Sequence, residues 1–220
     1  MLVLAFDTAT PAVTVALHDG TVVLAESTRI DARRHGELLL PAIDLVLHEA
    51  GATRGDLTAI AVGVGPGPYT GLRVGLVTAA ALGHALGIPV HGVCTLDGLA
   101  RAAREEGLTG PFTAATDARR KEVYWASYDE QGTRVSGPAV DRPADIAAQV
   151  ADLPAVGAGA LLHPEVFTRV TGPEHVSAGR IAALAVEQLT AGTELLPPVP
   201  LYLRRPDAKV PTGYKAVLPA

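Results

Sequence analysis

The stretch Gly63-Val64-Gly65-Pro66-Gly67-Pro68-Tyr69-Thr70-Gly71-Leu72-Arg73 restricts the fold more than any other part of this chain. It follows an apolar, strand-like run, Leu57 to Val64, and leads straight into a long apolar helical pattern. Glycine reaches positive φ and lets other groups come close, whereas proline fixes φ and removes a donor. A strand, a rigid glycine turn and a helix N-terminus together form a place where backbone N–H groups can converge on an anion. The stretch is not a Walker A loop, because no Gly-Lys-Ser/Thr ends it.

The order of elements around this loop sets the fold class. Leu2–Phe6 reads as a strand ending at Asp7-Thr8. Val13–Leu17 and Thr21–Glu26 read as a hairpin turning at Asp19-Gly20. A helix is predicted over 34–50, with Gly51 closing it. Strand Leu57–Val64, helix Leu72–Leu86, strand Ile88–Val93 and helix Leu96–Glu106 follow. This order implies a mixed sheet covered by helices, an α/β fold. At Thr113–Thr116, Asp117 and Val123–Tyr128 the pattern of strand, aspartate and hairpin begins again, which points to a duplicated lobe. The division expected is 1–106 for the first lobe and 107–220 for a shorter second one. The second lobe carries helices near 143–151 and 178–191, a short strand near Ala155–Gly157, and an extended proline-rich tail from Pro197.

Composition narrows the function. The chain has 220 residues, 48% of them hydrophobic and only 4% aromatic, so its core is built from Ala, Val, Leu and Ile. A net charge of −5 argues against autonomous nucleic-acid binding. The single cysteine, Cys94, excludes an intrachain disulfide and a cysteine-rich zinc site. No His-Glu-x-x-His and no Gly-x-Ser-x-Gly elbow is present. No basic leader or membrane-length apolar run occurs, so the chain reads as cytoplasmic, with no membrane contact.

Two sets of residues stand out. Asp7, Thr8, Gly65, Gly67, Arg73 and Asp117 could form a phosphate or nucleotide cleft between facing lobes. Each aspartate could instead simply cap a turn. The helices over 34–50 and Leu72–Leu86 carry more apolar surface than one neighbour can cover. Gly75, Ala79 and Gly83 recur every fourth residue and make a small-residue groove. Leu39, Ile43, Val46, Leu72, Gly75, Leu76, Ala79 and Gly83 are then candidates for a partner interface. The alternative is that both helices pack only on each other and on the sheet.

Four segments carry a family resemblance: Phe6-Asp7-Thr8-Ala9-Thr10, Gly65 to Gly75, Asp117 to Tyr124, and Tyr202-Leu203-Arg204. Together they resemble the TsaB (YeaZ-like) family over essentially the whole chain. The resemblance implies two ribonuclease-H-like lobes of the acetate kinase/Hsc70/actin class, the second reduced. It implies a role in forming threonylcarbamoyladenosine beside the anticodon of tRNAs that read codons starting with A. The implied partners are a TsaD-like catalytic subunit and a TsaE-like ATPase, with a homodimer when the chain is alone and tRNA met only through the complex. In TsaD the corresponding stretch carries a His-x-x-x-His metal motif, whose positions match Thr95 and Leu99 here. Leucine has no ligand atom and threonine is a poor transition-metal ligand, so no metal, cofactor or catalytic residue is expected. The glycine loop is then a vestige of a cleft. A nucleotide-splitting kinase or phosphatase of the same fold is the competing reading.

Overall fold

The computed structural model describes residues 1–204. Its first sheet has the order β3-β2-β1-β4-β5. These strands are β1 (Val3–Asp7), β2 (Ala12–His18), β3 (Val23–Ile30), β4 (Ala59–Gly63) and β5 (Val90–Val93). β1, β2 and β3 form an antiparallel meander, while β4 runs parallel to β1 and β5 parallel to β4. The second sheet, β8-β7-β6-β9, repeats the order of the first four strands. It comprises β6 (Phe112–Asp117), β7 (Val123–Tyr128), β8 (Arg134–Asp141) and β9 (Ala155–Val156). The fold is mixed α/β with two ribonuclease-H-like sheets, the second one strand smaller.

Alternation along β1 explains the layers. Leu4 and Phe6 point to one face, where they pack with Val13, Val15, Ile60 and Val62 against α1 (His35–Glu49) and α2 (Tyr69–Leu86). Val3 and Ala5 point to the other face, toward α6 (Ala178–Ala191). That second face is lined with alanine: Ala5, Ala59, Ala61, Ala182 and Ala185. Small residues on both sides let the helix lie close to the sheet. α6 follows the second sheet in the chain yet returns to cover the first. Its ends match the sequence expectation because both signals are strong: Ser177 accepts the Arg180 N–H at the N-cap, and Gly192 closes it at φ 67°.

α3 (Thr95–Glu105) joins the two halves. Its Leu96 and Leu99 pack on Phe112, Ala114 and Tyr128 of the second sheet. Gly98 faces α6 so closely that a Cβ there would come within 2.6 Å of Ile181 Cδ1. The opposite face of the second sheet is closed by α4 (Pro143–Val150), through Ile146 and Val150, and by α5 (Ala158–Leu161), through Ala160.

β8 is the return strand of the hairpin expected after Val123–Tyr128, but its length is not marked in the sequence, because Gly137-Pro138 interrupts it. It is an edge strand with a register shift opposite Ser127, which is where a sheet tolerates proline. Pro41 lies inside α1, on its exposed side. The tail from Pro197 lacks regular structure as far as Arg204, as expected, and the rest of it lies outside the described residues. Among the described residues no helix is long and apolar enough to cross a membrane.

Candidate functional site

β1 delivers Asp7 to the end of the first sheet, and the chain itself uses both carboxylate oxygens. Oδ1 accepts the Ala9 N–H at 2.7 Å, and Oδ2 accepts the Thr95 hydroxyl at 2.6 Å. The side chain is wholly buried, and that burial raises its pKa against the opposing pull of Thr95, the Ala9 N–H and the His35 charge. Gly63, beside it on β4, has to be glycine, since a Cβ there would stand 1.7 Å from Asp7 Oδ2.

Thr95 extends the tie. Its hydroxyl accepts the Gly65 N–H at 3.2 Å, and its own N–H donates to the Gly65 carbonyl at 2.8 Å. Asp7 therefore anchors the first residue of α3 and the entry to the glycine loop. Gly65 adopts φ 92°, a conformation that favours glycine.

The glycine loop is occupied by the chain's own backbone. A Cβ on Gly67 would lie 2.1 Å from the Ala9 carbonyl oxygen, and one on Gly71 would lie 2.6 Å from that of Thr8. Thr8 Oγ1 donates to the Gly71 carbonyl at 2.8 Å and accepts the Gly75 N–H at 3.0 Å. Those two groups are helix partners four residues apart, so Thr8 is inserted into the first turns of α2.

Arg73 reaches neither aspartate. Its guanidinium carbon lies 3.7 Å over the Tyr69 ring, and its Nε donates to the Tyr202 hydroxyl at 3.2 Å. Asp117 ends β6 as Asp7 ends β1, but it is partly exposed. Oδ1 accepts the Arg119 N–H at 2.7 Å, and Oδ2 pairs with the Arg119 guanidinium at 3.1 Å. Arg119, Arg120 and Lys121 all have positive φ, of 62°, 56° and 62°. Such a left-handed run costs roughly 1–2 kcal/mol per residue and needs support. Arg204 supplies it by donating to the Ala118 carbonyl at 2.9 Å and pairing with Glu122.

Beside the glycine loop lies a cavity of about 310 Å³ lined by Thr8, Thr10, Arg33, His35, Gly71 and Arg119 among others. His35 Nε2 donates to the Thr10 carbonyl at 2.8 Å. The sequence did not mark Arg33 or His35 for this place; the signal was their position at the start of α1, which opens on the cavity. Of the expected cleft residues only Thr8 lines it; Asp7 is wholly buried, and Gly65, Gly67, Arg73 and Asp117 are not part of its wall. Leu99, at the second position matched to the metal motif, is fully buried in the core against the second sheet. No group of three His, Cys, Asp or Glu that could hold a metal occurs among the described residues.

A larger cavity of about 710 Å³, with no sequence signal, is lined by Cys94, Asp97, Arg101, Arg104, Arg134 and Leu196 among others. Arg104 donates to the Leu108 and Glu130 carbonyls, and the other two arginines are paired with carboxylates. Arg101 bridges Glu105 and Glu187, while Arg134 lies 3.6 Å from Asp97 and donates to Cys94 Sγ at 3.3 Å. Burial pushes the Cys94 thiol up to about 12, so it is not a nucleophile at neutral pH.

The partner-interface expectation needs correcting. Leu39, Ile43, Val46, Leu72, Gly75, Leu76, Ala79 and Gly83 are all buried against the chain's own sheet. The small-residue stripe admits the molecule's own parts: a Cβ on Gly83 would lie 2.3 Å from Val90 Cγ2, and one on Gly75 would lie 2.6 Å from Thr8 Oγ1. The apolar excess lies one position round each helix. On α2 the exposed row is Tyr69, Arg73, Val77, Ala80, Ala81 and His84, with Val77 66% exposed. On α1, which packs beside it, Leu40 and Leu45 are exposed at 48% and 37%.

Comparison with known proteins decides the family. A family model described as TsaD, tRNA N6-adenosine threonylcarbamoyltransferase, matches residues 23–160. The solved structure of YeaZ from Pseudomonas aeruginosa is 32% identical, with a TM-score of 0.78, over 92% of this chain and 99% of that one. The chain belongs to the TsaB (YeaZ-like) family. A second Pseudomonas aeruginosa structure, described as similar to peptidase YEAZ, is 31% identical with a TM-score of 0.80, over 92% of this chain and 99% of that one. An uncharacterized protein of Mycobacterium tuberculosis is 49% identical over 94% of this chain and 93% of its own length. The tRNA threonylcarbamoyladenosine biosynthesis protein TsaB of Escherichia coli is 43% identical over 60% of this chain and 58% of its own. A polyphosphate/ATP-glucomannokinase of Arthrobacter, 13% identical with a TM-score of 0.50 over 86% of this chain and 99% of that one, shares the fold alone.

Proposed function

We propose that this TsaB-family chain serves tRNA threonylcarbamoyladenosine biosynthesis as a non-catalytic subunit. It supports a TsaD-like subunit that performs the transfer, with a TsaE-like ATPase joining the assembly. The observation that carries the reading is Asp7. The carboxylate best placed to serve a nucleotide is sealed in the core, with both oxygens bonded to Ala9 and Thr95. Thr8 and Ala9 pack into the glycine loop beside it, and the Asp7 carboxylate faces no ligand.

What the chain still offers is surface. The exposed row of α2, with Val77 66% exposed, supplies apolar surface of the kind that marks protein partners. The TsaD-like subunit docks there, and a second copy of the chain uses the same patch when that subunit is absent. tRNA is met through the assembly, in line with the net charge of −5. The setting is the cytoplasm, where tRNA is modified.

Reconstitution tests the reading. The chain is mixed with its cognate TsaD-like and TsaE-like proteins, and threonylcarbamoyl transfer to tRNA is assayed with each left out. Transfer that needs this chain, but survives substitution of its cleft residues, supports the subunit role. Micromolar binding of Mg-ATP to the isolated chain, lost on Arg119→Ala, would instead favour a nucleotide-splitting enzyme. A peptidase reading finds no support in Cys94, whose thiol is buried and protonated.

A further inference from the structure

Tyr202-Leu203-Arg204 and Arg73 have no place in the cleft, yet they meet. The segment from Leu196 to Arg204 crosses from the first sheet to the second. The Gly92 N–H donates to the Leu196 carbonyl at 2.7 Å, and the Leu201 N–H donates to the Val64 carbonyl at 2.9 Å. Leu201 packs against the cores of both halves. Arg204 then locks onto the left-handed turn through the Ala118 carbonyl and Glu122. Fixed at both ends, the segment sets the Tyr202 ring beside that of Tyr69, with centroids 5.1 Å apart and an interplanar angle of 24°.

Arg73 is held by this pair, over one ring and bonded to the hydroxyl of the other. Among the described residues no carboxylate pairs with it; its contacts are the two tyrosines. A guanidinium oriented through Nε keeps its Nη edge for an external acceptor.

We propose that Tyr69, Arg73 and Tyr202 form the anchor of the partner surface, and that Arg73 takes a carboxylate from a helix of the docked TsaD-like subunit. This rests on the reading of the exposed α2 row as the docking face. The occupant is a protein rather than RNA because the row continues through Val77, Ala80 and Ala81. A phosphate backbone would call for further cations at those positions, whereas an acid flanked by apolar residues fits them. Arginine and tyrosine are also the residue types that dominate protein interfaces when clustered. Tyr202 is a positioning residue: it orients Arg73 and brings the C-terminal segment into the interface.

The affinity of the full chain for its cognate TsaD-like subunit, measured by calorimetry at two salt concentrations, tests this. Arg73→Ala weakens binding about 10-fold or more and flattens its salt dependence, and Arg73→Glu weakens it about 100-fold. Tyr202→Ala weakens binding less, and Tyr202→Phe, which keeps the stacked ring, restores most of the loss. Thermal unfolding confirms that each variant is folded. Val77→Glu reports on the face as a whole. Loss of binding with Val77→Glu but not with either Arg73 variant overturns the anchor and leaves the docking face standing. Unchanged binding in all of them overturns the docking face itself. Loss of self-association alone on Arg73→Ala makes the occupant a second copy and also overturns the proposal.

Discussion

Asp7 and Asp117 end equivalent strands of two sheets that share one strand order, yet they do opposite work. Asp7 is sealed inside and ties β1 to α3 and the glycine loop. Asp117 is partly exposed and holds only the turn that follows it, through Arg119. The difference comes from what the rest of the chain brings to each strand end. In the first sheet α3 supplies a hydroxyl at Thr95, and Gly63 clears room for the carboxylate. In the second sheet the turn supplies its own guanidinium, and Arg204 completes it. A strand that ends in aspartate before a hairpin is thus a position, and its neighbours decide whether it faces ligand, core or solvent.

The comparison breaks most sharply at Gly63. Gly63→Ala forces a Cβ onto the Asp7 carboxylate and should cost about 4 kcal/mol or more of stability by urea unfolding. Combining it with Asp7→Ala should recover part of that loss, because the two changes share one clash. A cost below about 1 kcal/mol would mean that Asp7 can move aside and is no tie.

Asp7→Ala alone leaves the buried Ala9 N–H and Thr95 hydroxyl without their acceptor and should cost about 3 kcal/mol. Asp117→Ala should cost about 1 kcal/mol, since water reaches the groups it leaves behind. Equal effects in matched unfolding curves would erase the distinction between the two sites. Arg204→Ala should show a still smaller loss of stability, read more clearly as faster hydrogen exchange at the Glu122 amide, which closes the left-handed turn on the Arg119 carbonyl.

The pH dependence gives the subtlest contrast. Burial raises the Asp7 carboxyl above its ordinary value of 3.8, so the folded chain holds that proton more tightly than the unfolded chain. Its contribution is full below that value and is lost as pH rises through the folded one. Asp19, held down to about 2 by the Thr21 hydroxyl and the Val22 and Thr21 amides, has the opposite sign. Its contribution is full above 3.8 and fades as pH falls toward 2. Asp7→Asn should therefore look less damaging at pH 7 than at pH 4. An identical difference at both pH values would contradict the raised pKa.

Much of this fold is legible in the sequence because its signals are local. Asp19-Gly20, Gly87 and Gly192 end elements where positive φ or a tight turn is required, and the repeat of strand, aspartate and hairpin foretells the second sheet. The length of β8 is not legible, since Gly137-Pro138 looks like a break and only an edge position accommodates it. The return of α6 to the first sheet depends on alanine matching alanine across the chain, which no short window contains. The site divides in the same way. Asp7, Thr8 and the glycines are marked by type, but their occupation by Thr95, Ala9 and Thr8 itself is a tertiary fact. The small-residue stripe Gly75, Ala79 and Gly83 signals close approach correctly; what approaches is the chain's own β5 and Thr8. Replacing Ala79 with a bulky residue would therefore test the core, and Val77 is the residue that tests docking.

On the proposed function the chain acts by docking and not by chemistry in its cleft. The most direct test is the rate of threonylcarbamoyl transfer in the reconstituted assembly carrying the double substitution Asp117→Asn and Arg119→Ala, with complex formation verified. A rate within about two-fold of wild type is expected, because these groups touch no reacting atom. A loss of about 100-fold with the assembly intact would show that the cleft takes part in the reaction and would contradict the proposed function.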